Sequence, residues 1–423
     1  MKNVIDIKKI IGSAVMEVKF QPILSVVRKS VIGLEGVSTG ATLNNKFFSI
    51  DEMFLSAESS DLEIDLDRLS RQKIVGDFNT IYGNDEKLLF ISINMAAIAK
   101  FVGSGIILDL VNKFNIDPKN VVLEIYENNI DDVEVLQQFI NSYRSKGFLV
   151  ALTIGSGFAN LDKISHVEPD IIKIGEAITK DLEKDFYRQE IFKSLVNLSK
   201  KISALVVADG INIEEQAIIS MELGADMLQG DYFGKYNTSE VEFIKSVEEK
   251  IQYIASRYTK YKKEQIEIEQ IKHKKYQEIL TGVIQELSVT PESKFNLKLN
   301  DIIHKYDDFE CVYILSEEGT QVSDTVTLFK NMIFQKALMF KPAKKGTDHS
   351  LKKYYYFLRS MSLNKYVTEP YVSMATGNLC ITISSSFKDS AKKSFIICID
   401  LHSPPISYYR LLISYAKIRC DVN

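Results

Sequence analysis

Five residues in the first half of the chain have side chains that could act together on a phosphate. Glu35 in "GLEG", Asn94 in "SINM", Glu124 in "VLEI" and Asp209 in "VADG" each close a short β-rich run, and Lys173 in "IIKIG" closes another. Carboxylate and amide oxygens, without His or Cys among them, favour Mg²⁺ or Mn²⁺ over zinc. A divalent cation held there would neutralise a phosphate and activate water. A lysine ammonium beside it would stabilise charge on a phosphoryl transition state. Gln229-Gly230 ends the series. Taken singly, a Glu or Asn at a strand end is more often a loop hydrogen-bonder than a ligand, and Lys173 alone reads as a solvated lysine. The specificity lies in the set.

These residues can meet only if the elements carrying them converge. Up to about residue 240, β-rich runs such as "AVMEVKFQPIL", "LLFISIN", "NVVLEIYE", "GFLVALTI" and "DIIKIG" alternate with helical patterns such as "DVEVLQQFINSYRSKG". That alternation implies a mostly parallel sheet covered on both faces. Eight candidate strands suit a (β/α) barrel, whose strand ends meet on one rim, with the first strand or two antiparallel. A doubly wound open sheet is the alternative.

From Val241 the texture changes. Ile244, Val247, Ile251, Ile254, Tyr258, Tyr261 and Ile268 recur at helical steps, opposite a face of Lys and Glu, until Pro291 breaks the pattern; Gln265 interrupts the apolar stripe. Packing on the barrel and dimerisation are equally good readings of this helix. The last 130 or so residues return to strands: "CVYILSEEGTQVSD" reads as a hairpin around Glu317-Glu318-Gly319, and "TGNLCITISSSF" with "KSFIICIDL" as an antiparallel pair. "YYYFL" from Tyr354 and the helix-like "SYYRLLISYAKI" add aromatic bulk. No clustered acid, base or nucleophile is evident there. The expected division is thus 1–240 barrel, 241–290 connecting helix and 291–423 smaller α+β domain.

Composition narrows the function classes. A net charge of −4 over 423 residues gives no drive toward nucleic acid or an anionic membrane. No apolar run is long enough to span a bilayer, and the opening "MKNVIDIKKI" lacks the apolar core of a signal peptide. Cys311, Cys380, Cys398 and Cys420 show no C-x-x-C spacing and read as free thiols. A cytoplasmic protein without membrane insertion is expected.

With these residues in view, the first 240 resemble the EAL domain of bacterial cyclic-di-GMP phosphodiesterases. "FQPILSVVRKSVIGLEGVSTG" is similar to that family's opening, "FISINM" to its asparagine strand and "VVLEIYEN" to its L-E-x-T-E strand. "PDIIKIG", "VVADGINIEEQ" and "LGADMLQGDYFGK" resemble its last three motifs, in order. The resemblance implies a barrel that binds cyclic-di-GMP and uses divalent metals to hydrolyse it. It places metal ligands on Glu35, Asn94, Glu124 and Asp209, a loop glutamate on Glu127, the catalytic lysine on Lys173 and nucleotide contacts on Gln21 and Gln229. The remainder of the chain resembles PAS- or Cache-like sensor domains that follow a long helix in some EAL proteins.

The departures from the family pattern carry the functional expectation. The family's strand-five motif D-D-F-G supplies a metal-binding aspartate; here the stretch is Leu152-Thr153-Ile154-Gly155. The Ala-Leu-x-Arg that follows the opening glutamate becomes Gly36-Val37-Ser38-Thr39, which removes an arginine suited to a ligand phosphate. Gly175 and Asn212 stand where the family has acids. The expectation is an EAL-type barrel, followed by a long helix and a PAS/Cache-like α+β domain, whose metal, lysine and nucleotide positions are vestigial. It would need no Mg²⁺, Mn²⁺ or other cofactor, and would regulate as a homodimer through contacts with a protein partner. A cyclic-di-GMP receptor without turnover is the alternative, and a weak phosphodiesterase the third reading.

Overall fold

The computed structural model describes residues 7–13, 16–58, 62–82, 86–93, 105–126, 132–155, 161–234, 241–328 and 340–403. Asn94, Glu127, Cys420 and the segment "SYYRLLISYAKI" lie outside the described residues. The chain forms two compact units, Met1–Lys260 and Tyr261–Asn423. The division falls inside the helix Val241–Ser288.

The first unit is a closed barrel. Its strands are β1 (Met16–Ser25), β2 (Ser30–Leu43), β3 (Lys46–Ser49), β4 (Leu88–Ser92), β5 (Val121–Tyr126), β6 (Leu149–Ile154), β7 (Ile171–Ile174), β8 (Leu205–Ala208) and β9 (Met227–Leu228). They run in the order β1-β9-β8-β7-β6-β5-β4-β2-β3, and a further β1–β2 pairing closes the ring. β1 is antiparallel to both neighbours, while the ladder from β2 through β4 to β9 is parallel. Closure excludes the open doubly wound sheet. The short β3, paired to β2 beyond the ring, was not apparent from the sequence.

Side chains along a strand alternate between faces, and this rule fixes the barrel interior. Ile23, Phe90, Val122, Ala151, Ile171, Val207 and Met227 pack as one apolar layer. Two residues further toward the rim lie Gln21, Ser92, Glu124, Thr153, Lys173, Asp209 and Gln229 (counting backwards in the antiparallel β1), with Glu35 two residues beyond Gly33. A polar layer thus sits directly on an apolar one. The backbone ladder continues past β8 and β9, where Asp209 N–H donates to Ile174 O at 2.9 Å and Gln229 N–H to Ala208 O at 2.9 Å.

Two of the flanking helices are held at their N-termini by side chains suited to that position. Asp132 accepts from Val135 N–H at 3.0 Å at the start of Val133–Arg144, and Asp185 accepts from Tyr187 N–H at 2.9 Å at the start of Phe186–Lys201. In the helix Val241–Ser288, Val247, Ile251 and Ile254 are buried, as their spacing predicted. Ile268 is exposed, however, and Gln265, which broke the apolar stripe, is buried with its Oε1 lacking a partner among the described residues.

The second unit is built on a six-stranded sheet of β10 (Phe309–Leu315), β11 (Val326–Thr327), β12 (Lys365–Val367), β13 (Tyr371–Val372), β14 (Leu379–Lys388) and β15 (Ser394–His402). β10 turns at Gly319 with φ +86° and returns antiparallel as β11; β14 and β15 form the expected antiparallel pair. One face, with Val312, Ile314, Ile381, Ile383, Ile397 and Ile399, packs on residues 276–287 and the helix Phe295–Ile303. The opposite face carries Cys311, Tyr313 and Cys398 against Tyr354 and Leu358 of the helix Lys353–Ser360. Asp400 shares that face, where Cys311 Sγ lies 3.1 Å from its Oδ2 and Thr382 Oγ1 donates to its Oδ1 at 2.7 Å. The expectation that this domain lacks clustered titratable groups is therefore corrected: the strands place them side by side, although 89 residues separate Cys311 from Asp400 in sequence.

Candidate functional site

The site is the polar layer of the barrel. Glu35 on β2, Glu124 on β5 and Lys173 on β7 are all buried, and Asp209 stands one residue past β8. Lys173 Nζ lies 2.7 Å from Glu35 Oε2, 3.1 Å from Glu124 Oε1 and 3.6 Å from Asp209 Oδ2. The sequence reading of Lys173 as a solvated lysine is excluded: the residue is 2% exposed.

The two glutamines join the same network. Gln229 Nε2 donates to Gln21 Oε1 at 3.0 Å and also to Glu35 Oε2, while Gln21 Nε2 donates to Asp231 Oδ1 at 3.3 Å. Gln21 and Glu35 are register partners across the β1–β2 ladder, and β1 in turn pairs with β9, the strand that Gln229 extends. Asp231 was not singled out in the sequence, though it lies two residues after Gln229 and so shares its alternation.

Burial and charge set the protonation of this cluster. Burial, with the adjacent Glu35 charge, pushes the Glu124 carboxyl up to about 7 against the opposing pull of Lys173. Asp209 is also raised, first by burial. Burial acts to lower Lys173, but Glu124, Glu35 and Asp209 together hold its ammonium well above the ordinary lysine range. The ammonium is therefore kept charged, and the Glu124 carboxyl takes up a proton near neutrality.

The orientation of the β6 end is resolved by register. Thr153 pairs with Lys173 across β6–β7 and faces inward, whereas Ile154 takes the opposite face and is buried there. Thr153 Oγ1 donates to Glu124 Oε1 at 2.6 Å. Of Thr153 and Ile154, only Thr153 can address the site, and its hydroxyl binds the Glu124 carboxylate.

The other departures are equally local. Thr39 Oγ1 donates to Glu17 O at 3.4 Å, on the strand neighbouring its own. Asn212 Nδ2 donates to Glu176 Oε1 at 3.2 Å, which occupies its side chain. Gly230, with φ +148°, lets Gln229 turn against the next loop; a Cβ there would lie 2.2 Å from Ile211 N.

Whether this donor set fits a divalent cation can be judged from its oxygens. Glu124 Oε2 is buried without a partner among the described residues, as a metal-facing oxygen would be. Yet the other oxygen is taken by Thr153 and Lys173, and Lys173 also sits on Glu35. Among the described residues no group of three or more His, Cys, Asp or Glu is arranged to hold a metal ion. Glu35, Glu124, Asp209 and Lys173 thus come together on one rim, with the ammonium at their centre.

A closed barrel with its polar groups gathered on the strand-end rim defines a class, and comparison with known families identifies it. The EAL domain family model matches residues 7–236, and the chain belongs to that family. It is 24% identical over 406 residues to the EAL-domain containing protein YkuI of Bacillus subtilis (strain 168), covering 92% of this chain and 94% of that one. It is 31% identical over 134 residues to the probable cyclic di-GMP phosphodiesterase PdeA of Escherichia coli (strain K12), covering 31% of this chain but only 18% of the relative. The crystal structure of Bacillus subtilis YkuI in complex with cyclic-di-GMP and calcium superposes with a TM-score of 0.76 at 19% identity, covering 95% of this chain and 100% of that one. The shared fold therefore extends beyond the EAL domain. Among the described residues no helix is long and apolar enough to cross a membrane.

Proposed function

We propose that this chain is a catalytically inactive EAL protein that acts in cyclic-di-GMP-related signalling through protein–protein contacts and dimerisation. The observation that carries the reading is the Thr153–Glu124 hydrogen bond of 2.6 Å. At the inward position of β6, this reading takes the neutral Thr153 hydroxyl as standing where a two-metal phosphodiesterase needs an anionic ligand. Without charge stabilisation by paired metals, phosphodiester hydrolysis loses several kcal/mol of barrier reduction, or orders of magnitude in rate. The test is incubation of the full chain with cyclic-di-GMP and Mg²⁺ or Mn²⁺. No linear dinucleotide is expected; metal-dependent product that Lys173→Ala abolishes would overturn the reading.

A second reading, a cyclic-di-GMP receptor without turnover, is favoured by the Gln21–Gln229–Glu35 network, which keeps donors and acceptors at the rim. Thr39 in place of the phosphate-gripping arginine weighs against it. Calorimetric titration with cyclic-di-GMP separates the two: micromolar binding supports the receptor, and its absence supports action through protein contacts alone.

A further inference from the structure

The second unit contains a pocket with about 80 Å³ of free volume, lined among others by Asp400, Tyr313, Tyr354, Tyr371, Lys341 and Lys352. Asp400, only 3% exposed, is its buried acid. The hydrogen bonds it receives come from neutral groups: Thr382 Oγ1 at 2.7 Å, Cys311 Sγ at 3.1 Å and Tyr371 OH at 3.5 Å. Burial holds the Cys311 thiol in its protonated form, so it remains a donor. No cation pairs with Asp400 among the described residues. A buried carboxylate without a counter-charge is costly, and this one borders open space.

The rest of the lining supplies what a small charged molecule would meet. Tyrosine rings attract an ammonium group through their faces, and three of them line this pocket. Tyr354 is fixed, its hydroxyl 2.7 Å from His349 Nδ1, while His349 Nε2 lies 2.8 Å from Gln321 Oε1. Burial lowers the pKa of His349, so the ring adds no competing positive charge near neutrality. Lys341 and Lys352 are exposed and have no acidic partner among the described residues. One pocket therefore presents a buried anion and two free cations. At roughly 10–15 Å³ per water-sized probe, its volume holds several waters, or a molecule of about six non-hydrogen atoms.

We infer that this pocket binds a small zwitterionic amine, an amino acid with a small side chain, its ammonium on Asp400 among the tyrosines and its carboxylate toward Lys341 and Lys352. Recognition of both charges distinguishes this ligand from a simple amine, which the lysines would repel, and from a simple carboxylate, which Asp400 would repel.

The test is isothermal titration of the full chain with glycine, L-alanine and L-serine, and with ethylamine and propionate as single-charge controls. Saturable binding of at least one amino acid is expected, with both controls weaker by about 10-fold or more. Asp400→Asn should weaken the amino acid by a similar factor. Because Asp400 lies in the sheet, the exposed double change Lys341→Met with Lys352→Met provides a variant that spares the core; it should weaken the amino acid while bringing ethylamine closer to it. Absence of binding by all three amino acids overturns the inference. So does ethylamine or propionate binding as tightly as the best amino acid, or an affinity unchanged in the double variant.

Discussion

Thr153 Oγ1 donates to Glu124 Oε1 at 2.6 Å, and Lys173 Nζ approaches the same oxygen to 3.1 Å. One carboxylate oxygen in the barrel thus serves a hydroxyl and an ammonium together. The other oxygen of Glu124 has no partner among the described residues. This asymmetry makes Thr153 part of the barrel's electrostatics.

Thr153→Val keeps the shape and removes the donor. A buried carboxylate that loses one hydrogen bond costs about 1–3 kcal/mol. The variant is expected to unfold earlier in urea, and Thr153→Ser to stay close to the parent. Equal stability of all three proteins would mean that the hydrogen bond contributes nothing.

Lys173→Met leaves Glu35 and Glu124 buried without their cation. Breaking a buried ion pair by removing one partner costs about 3–5 kcal/mol. The loss should be greatest above neutrality and should shrink toward about pH 5, where the Glu124 carboxyl is protonated and needs no counter-charge. Thermal melting at several pH values reads both the loss and its direction.

Asp400 gives a pH dependence of its own. Burial pushes its carboxyl from 3.8 up to about 6, despite hydrogen bonds from Cys311, Thr382 and Tyr371, and Glu310 adds to the rise. The folded state therefore holds this proton more tightly than the unfolded chain. That stabilisation is complete below about pH 4 and is lost as pH rises through about 6, a swing of about 3 kcal/mol. Of the other titratable groups around it, Cys311, Cys380, Tyr313, Tyr354 and Tyr371 are raised by burial and stay neutral across this range. Melting curves in amine-free buffer should show the wild type losing stability across this window relative to Asp400→Asn.

Gly230→Ala tests the loop that carries Gln229. Its φ of +148° and a Cβ position 2.2 Å from Ile211 N leave no room for a side chain. A cost of about 1–3 kcal/mol from backbone strain is expected, with more if Ile211 must move. An unchanged melting temperature would show that this loop adjusts freely.

Much of this was legible in the sequence because strand ends declare themselves. Glu35, Glu124, Lys173 and Asp209 each follow an apolar run, and a parallel barrel brings such ends together. What the runs do not reveal is phase. "ALTIG" shows that no acid is present but not whether Thr153 or Ile154 faces inward, since that depends on register with β5 and β7. The Asp400 cluster was missed for a related reason: Cys311, Thr382 and Asp400 lie on three strands, and only antiparallel pairing makes them neighbours. In the long helix, periodicity located Val247, Ile251 and Ile254 correctly. It failed at Ile268, where the apolar repeat continues but burial does not.

The stacking of a polar layer on an apolar one gives the barrel a form of modularity. Ala151 fills the interior below Thr153, and Ile154 packs the outer face beside it. Structural and chemical duties are thus assigned to different residues of one short strand. A substitution at the inward rim position can change the chemistry while the packing beneath it remains intact.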